Sequence, residues 1–434
     1  MGDGREGARI YNLFPLLVGS IAEWEAHLDR IAAMGFNWVF VNPFHYPGFS
    51  GSLYAVKDYY RLNPIFKGDA RAAADVLIAD FAAAAARRRI GVMMDLVVNH
   101  TAQDSVLAEQ HRDWFEREHD GSLRKPFAID PDTHAKTVWA DLAEIDYRDR
   151  PERAQVIQYF SEVVRHYVGL GIRGFRCDAA YKVPKEVWRQ LIRAGRTAAE
   201  GCVFAAENLG GMLEQVESLR SAGFDYLFNS SKWWDFRQGW LLQQYEQFRS
   251  IAPSIAFPET HDTDRLATDL AGQGVGAAAE LEQRYKQAYL FAAVFSSAVM
   301  IPIGYEYGFR RKLHVVDTRP GDWEKPSFDI SGYIADVNRM KAAQPVLNEE
   351  GPQRLVGQGH DHIVALQRRS LRGRSWAVTL INIDRRSSGA VRIRGLDPDI
   401  REGREITPGH AADRFVAGGD VSLAPGQIRV FVNA

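Results

Sequence analysis

Cysteine is nearly missing from this chain: 434 residues contain two, Cys177 and Cys202. Two are too few for a disulfide scaffold, and each lies in or beside an apolar run that reads as a strand, so buried free thiols are expected. An excess of charge is missing as well. With 53 basic and 55 acidic residues the formal net charge is −2, and the basic residues are scattered. No field favours nucleic acid or an anionic membrane, whereas a neutral substrate is compatible with this balance. The apolar stretch nearest to a membrane span in length, residues 290–303, falls short of the ~20 residues a bilayer requires and reads as a buried helix followed by a strand. Residues 1–10 are polar and Gly-rich, without the apolar core and small-residue cleavage site of a signal peptide. Low-complexity tracts and internal repeats are also missing. These absences lead to the expectation of a cytoplasmic protein that binds neither nucleic acid nor membrane. They say nothing of oligomeric state.

What is present is an ordinary globular composition, 46% apolar and 25% charged. Short apolar, β-branched runs at 10–14, 38–42, 90–97, 174–178, 203–207, 226–229, 254–258 and 298–303 read as eight strands. Amphipathic helical patterns fall between them, such as 21–33, 71–88, 153–169, 185–194 and 280–295. Eight such units predict an α/β fold, a (β/α)8 TIM barrel, for which about 250 residues is typical. The barrel is expected over 1–100 and 148–345. Residues 101–147, after the third strand, are too long and polar for a simple loop and carry Trp114 and Trp139. They are expected to form an excursion subdomain over the active site. Beyond residue 345 the pattern alternates, with strands predicted at 363–367, 376–383, 390–393 and 427–432. A C-terminal antiparallel β-sandwich domain over 346–434 follows.

Barrel enzymes place their chemistry at the C-terminal ends of the strands. Here those ends are unusually acidic: Asp95-Leu96-Val97-Val98-Asn99-His100 after strand three, Gly174-Phe175-Arg176-Cys177-Asp178 at strand four, Ala206-Glu207-Asn208 at strand five, and Glu259-Thr260-His261-Asp262 at strand seven. A lone carboxylate at such a position often only caps the following helix. Carboxylates from four strands meeting at one mouth repel each other, which packing does not explain and substrate chemistry does.

In these four ordered segments the chain resembles the α-amylase family, glycoside hydrolase family 13. Asp141-Leu142-Ala143-Glu144-Ile145-Asp146 is similar to a further family region in the excursion, and Tyr54 to Asp58 to its Tyr-x-x-x-Asp segment. The resemblance spans most of residues 10–345. It implies a retaining α-glycoside-active enzyme working on α-1,4-glucans or maltooligosaccharides through a covalent glycosyl-Asp178 intermediate, by hydrolysis or transglycosylation. Asp178 is then the nucleophile, Glu207 the general acid/base and Asp262 the transition-state carboxylate. The apolar run before Glu207 favours its protonated form, while Arg176 two residues before Asp178 favours the anion.

Substrate-binding roles are implied for Tyr54, Asp95, His100, Arg176 and His261, and on the acceptor side for Tyr181 and Lys182, which depart from the Lys-His pair of many amylases. Asn208, Trp139, Trp233 and Trp234 are further sugar-lining candidates; the Trp pair reads equally as core, and Glu306 is ambiguous. No cofactor is expected. Calcium, bound by many family members, stays as an alternative with Asn99 at a ligand position and Asp130, Asp132 and Asp141 as further oxygens that read equally as turn residues. An isomerase or phosphorolytic enzyme on the same mechanism is the runner-up, and a non-catalytic barrel scaffold the reading from another class.

Overall fold

A computed structural model describes residues 6–129, 134–356, 362–410 and 413–433. The eight predicted barrel strands form one closed barrel in chain order. They are β1 (Arg9–Leu13), β2 (Trp38–Val41), β3 (Gly91–Leu96), β4 (Gly174–Cys177), β5 (Val203–Ala206), β6 (Tyr226–Phe228), β7 (Ser254–Ala256) and β8 (Ala298–Pro302). Every neighbouring pair is parallel. Both faces of each strand are covered, which is why the strands read as near-continuous apolar runs.

Side chains alternate across the barrel wall. Ile10, Phe40, Met93, Ala205 and Met300 fill the interior, whereas Tyr11, Val41, Met94, Phe204 and Ile301 pack outward on the helices. Continued toward the strand ends, the same parity turns Asn12, Asn42, Asp95, Arg176, Asp178 and Glu207 inward. The polar mouth is thus the continuation of the apolar interior. At the opposite end, Trp38 plugs the barrel. A Cβ on Gly91 would come within 2.7 Å of its ring and one on Gly174 within 2.9 Å, so glycine is a packing requirement there.

The long excursion pairs His100–Ala102 with Leu142–Glu144 and Phe127–Ile129 with Lys136–Val138, both antiparallel. Ile145 N donates to Asn99 O (3.0 Å) and the Tyr147 hydroxyl to Val98 O (2.7 Å), which ties it to the C-terminal end of β3. A hairpin absent from the sequence expectation follows β2. Its strands, His45–Pro47 and Val56–Leu62, flank the loop that carries Tyr54.

After the helix Ser331–Ala342 the chain forms a six-stranded antiparallel sheet in the order Gln353–Val356, Ile363–Arg369, Trp376–Asn382, Ile428–Val432, Glu402–Glu405, Arg414–Val416. The predicted strand near 390 belongs elsewhere. Gly389–Arg392 pairs with Asp420–Leu423 as a separate ribbon that covers the sheet through Val391, Val421 and Leu423. Four strands escaped the sequence reading because they are short. Glu402–Glu405, reading EGRE, has no apolar alternation and is defined by pairing with Ile428–Val432.

Buried basic side chains tie the last helix and the sheet to the barrel. Lys341 Nζ donates to the carbonyls of Ala293 (2.8 Å), Ser296 (2.7 Å) and Leu347 (2.6 Å), and Arg368 Nη1 to those of Val294 (3.0 Å) and Phe295 (2.9 Å). No helix among the described residues is long and apolar enough to cross a membrane.

Candidate active site

Register builds the centre of the site. Arg176 on β4 lies directly opposite Asp95 on β3, and both point inward, so their side chains meet inside the mouth. Arg176 Nη1 lies 3.1 and 3.0 Å from the two oxygens of Asp95 and 2.7 Å from Asp178 Oδ1, and Nη2 lies 3.7 Å from Asp262 Oδ2. One buried guanidinium therefore serves three carboxylates. Glu207, one strand further on, takes two backbone N–H groups, Ala179 N on Oε2 (3.0 Å) and Leu209 N on Oε1 (2.6 Å). The first of these belongs to the residue after Asp178, so the two carboxylates are coupled through one peptide. Ala179 sits at φ 42° in the left-handed region, a conformation costing a non-glycine residue about 1–2 kcal/mol and recurrent at active sites.

Tyr54 closes the other side. Its hydroxyl donates to Asp95 Oδ2 (2.7 Å), accepts from Asn42 Nδ2 (3.0 Å), and lies 2.8 Å from His261 Nε2. With its only proton given to Asp95, Tyr54 leaves His261 Nε2 as the donor, toward the hydroxyl and toward Asp262 Oδ2 at 3.0 Å. The imidazole stacks on the Tyr54 ring with an interplanar angle of 7°. Asn12 Nδ2 donates to Asn42 Oδ1 (2.8 Å), which fixes the Asn42 amide. The roles of Asn12 and Asn42 were missed in the sequence. The signal was available, because both are polar residues ending barrel strands, though neither carries the charge that marks the acids.

Electrostatics separate the carboxylates. Burial raises Glu207 from 4.5 to about 7, helped by Asp178 and Asp262 and opposed by Arg176. Burial also lifts Asp95 to about 6, although Arg176 and the Tyr54 hydroxyl pull it down. Asp262 is 56% exposed at the rim. There the loss of bulk water, which would raise it, is outweighed by His261, first through charge and then through its hydrogen bond, and then by Arg176; the group is held at about 2. At neutral pH Glu207 is thus poised between acid and carboxylate, while Asp262 is an anion.

His100 is buried at the edge of this cluster, and among the described residues neither its Nε2 nor His261 Nδ1 has a hydrogen-bond partner. Burial lowers the His100 pKa, partly offset by the Asp178 charge. Tyr181 and Lys182 stand further out, under the excursion. Lys182 Nζ donates to Phe127 O (2.6 Å) and lies 5.2 Å from the Trp139 ring centroid. Asn208 is turned into the barrel wall, where its Oδ1 accepts from Phe228 N (2.8 Å). Trp234 is buried against Phe236 and Phe291, while Trp233 stands exposed on the flank.

Glu306 is buried outside the mouth, bound by Tyr11 (2.7 Å), Arg30 and Gly304 N (3.1 Å). Glu259 is buried with Arg265 (2.8 Å) and Leu266 N (2.6 Å). Asn99 is buried, with its amide 3.4 Å from His100 Nδ1. Asp130 and Asp132 lie outside the described residues, and among those described no group of three or more His, Cys, Asp or Glu side chains forms a metal set.

Comparison with known proteins gives a consistent picture. Residues 6–118 match the family model described as glycogen debranching enzyme, glucanotransferase domain. An α-1,4-glucan:maltose-1-phosphate maltosyltransferase of Burkholderia pseudomallei is 27% identical over 340 residues, covering 77% of this chain and 29% of that protein. Neopullulanase 2 of Thermoactinomyces vulgaris is 25% identical over 321 residues, covering 68% of this chain and 50% of its own length. The chain thus spans half or less of these two relatives. In fold it is similar to the α-amylase of Geobacillus thermoleovorans solved with acarbose, with a TM-score of 0.76, 18% identity and 98% of both chains covered. It is likewise similar to the maltogenic α-amylase AmyB of Thermotoga neapolitana, with a TM-score of 0.75, 17% identity and 99% of both chains covered.

Proposed function

We propose that this chain, a member of the α-amylase family, is a retaining enzyme acting on α-1,4-glucans or maltooligosaccharides through a glycosyl ester on Asp178. The observation that carries this reading is the pair joined through Ala179: Asp178, ion-paired to Arg176 at 2.7 Å, and Glu207, raised to about 7. In the first step the Asp178 carboxylate attacks the anomeric carbon while Glu207 gives its proton to the departing glycosidic oxygen. In the second, the Glu207 carboxylate takes a proton from water or a sugar hydroxyl, whose oxygen displaces Asp178 and restores the original anomeric configuration. Asp262, anionic and exposed to the cavity, binds sugar hydroxyls more tightly as the ring flattens and gains positive charge. His261, itself positioned by the Tyr54 hydroxyl, holds it in place, and the Nε2 of His100, without a partner among the described residues, is a ready contact for a sugar hydroxyl.

Transfer to a sugar, rather than to water, is the second reading. It is supported by the rim on the acid side, where Tyr181, Trp139 and Lys182 offer aromatic faces and a cation to an incoming acceptor.

Incubation with maltotriose, maltoheptaose, trehalose and sucrose, with and without phosphate, tests both. Products are resolved by chromatography and the first-formed anomer by NMR. α-Configured products from the maltooligosaccharides are expected, with chains longer than the substrate marking transfer. β-Anomers, or turnover confined to sucrose or trehalose, would overturn the proposal; turnover that requires phosphate would point to the phosphorolytic alternative.

A further inference from the structure

On the flank of the barrel a groove of about 950 Å³ opens between the segment after β6, the helix Ala278–Phe295 and the ends of the C-terminal strands Trp376–Asn382 and Ile428–Val432. None of Asp95, Asp178, Glu207 and Asp262 lines it. One wall is aromatic. Trp233, 50% exposed, stands edge-on to Phe257 at 5.9 Å, whereas its sequence neighbour Trp234 is sunk into the core. Leaving half an indole in water forgoes part of the free energy of its burial, and a flat exposed ring in a concavity offers a platform for a pyranose face.

The remaining lining carries charge of both signs on an apolar floor. Arg237, Arg284 and Arg385 line the groove. Among the described residues Arg385 has a contact with Gln273 Oε1 at 3.2 Å and no carboxylate partner, and Arg284 has a long ion pair with Glu280 at 3.9 Å and a long hydrogen bond to Gln287 Oε1 at 3.5 Å. The acids nearby are engaged elsewhere: Asp269 binds Lys232 (2.6 Å), Asp264 binds Lys312 (3.2 Å), and Asp235 accepts from Arg237 N (2.9 Å) and Gln238 N (3.0 Å). Arg284 is pushed down to about 10, first by burial and then by the charge of Arg385. Two guanidinium groups that repel each other in a half-enclosed site are relieved by a shared anion, and phosphate matches their planar donor forks.

We propose that this groove is a second, non-catalytic binding site for a phosphorylated sugar, with Trp233 stacked on the ring and Arg284 and Arg385 holding the phosphate. A free sugar phosphate and a phosphate ester on a glucan chain present the same chemistry.

Calorimetric titration of the whole protein distinguishes them, using glucose 6-phosphate, a phosphorylated maltooligosaccharide, maltotriose and inorganic phosphate. At least one phosphorylated sugar should bind more tightly than both maltotriose and inorganic phosphate. Binding of glucose 6-phosphate assigns the free sugar phosphate; binding confined to the phosphorylated oligosaccharide assigns the glucan ester. R284Q/R385Q should weaken that binding by about tenfold or more and W233A by about fivefold. Melting temperature and kcat/KM on maltoheptaose should stay near those of the wild type, since no variant touches the carboxylate cluster. Undiminished binding in R284Q/R385Q, inorganic phosphate binding as tightly as the sugar phosphates, or maltotriose binding equally well would each overturn the proposal.

Discussion

At the β7–β8 side of the barrel, Glu259 and Glu306 are completely buried, yet each has an arginine of its own and a backbone N–H besides. At the centre of the mouth, Asp95 and Asp178 from β3 and β4 and Asp262 from beyond β7 share the single guanidinium of Arg176, and Glu207 takes two backbone amides. All these acids sit at or near strand ends, so neither burial nor strand position separates them. The difference is stoichiometric. One carboxylate per cation is a closed structural pair, whereas several carboxylates on one cation leave lone pairs and charge directed into a cavity. Such an arrangement costs stability and persists where a substrate completes it.

The largest effect that would break this comparison is on Asp178. Asp178→Asn should lower turnover by about a thousandfold or more, because an amide cannot attack as an anion, with a melting temperature close to wild type. Steady-state kinetics beside a thermal melt check this; residual activity above a few per cent would sink the nucleophile assignment.

Next come the two arginines. Removing a partner from a buried pair costs about 3–5 kcal/mol, so Arg176→Met and Arg265→Met should both lower stability by that order in denaturant unfolding. Only Arg176→Met should also collapse kcat, by about a hundredfold or more. Arg265→Met, assayed where it remains folded, should keep kcat within about threefold. Equal catalytic losses would erase the distinction between the two regions.

A third effect depends on pH. Glu207 is raised from 4.5 to about 7 in the folded protein. Its contribution to stability is therefore full below about pH 4.5 and is lost as pH rises through about 7, above which the buried anion costs on the order of 3 kcal/mol. Glu207→Gln should thus be more stable than wild type at pH 8–9 and no more stable at pH 4, as read by thermal melts. In the wild type kcat/KM should fall above about pH 7, and an activated fluoride substrate should lose that dependence. With Glu207→Gln the ester on Asp178 should accumulate from such a substrate, and azide should rescue turnover.

The smallest effect concerns the rim. Trp139→Ala or Lys182→Met should raise KM for a sugar acceptor by about three- to fivefold and leave kcat for an activated donor nearly unchanged. A larger fall in kcat would place these residues in the chemistry itself.

Much of this site was legible before any coordinates. Asp95, Arg176, Asp178 and Glu207 end apolar strands at positions whose parity sends them inward, and periodicity is a local property of the chain. Asn208 shows the limit. It ends a strand as the acids do, yet its side chain is consumed by Phe228 N, a partner one strand away. Trp233 and Trp234 are adjacent, identical and opposite in fate. The C-terminal sheet was only half legible, since strands of three or four residues lack a period and are defined by their neighbours. The hairpin flanking Tyr54 was invisible because one strand has three residues and the other, VKDYYRL, does not alternate apolar with polar.

The sequence by itself determined the eight barrel strands, their order and the carboxylates at their mouth, because alternation of apolar and polar residues acts over a few residues and needs no distant partner. Tertiary structure alone decided which acids share a cation and which own one, that Asn42 and His261 meet at the Tyr54 hydroxyl, and that three arginines distant in sequence line one groove. Those outcomes depend on barrel closure and on the docking of the C-terminal sheet, which bring together side chains whose separation along the chain carries no signal of their proximity.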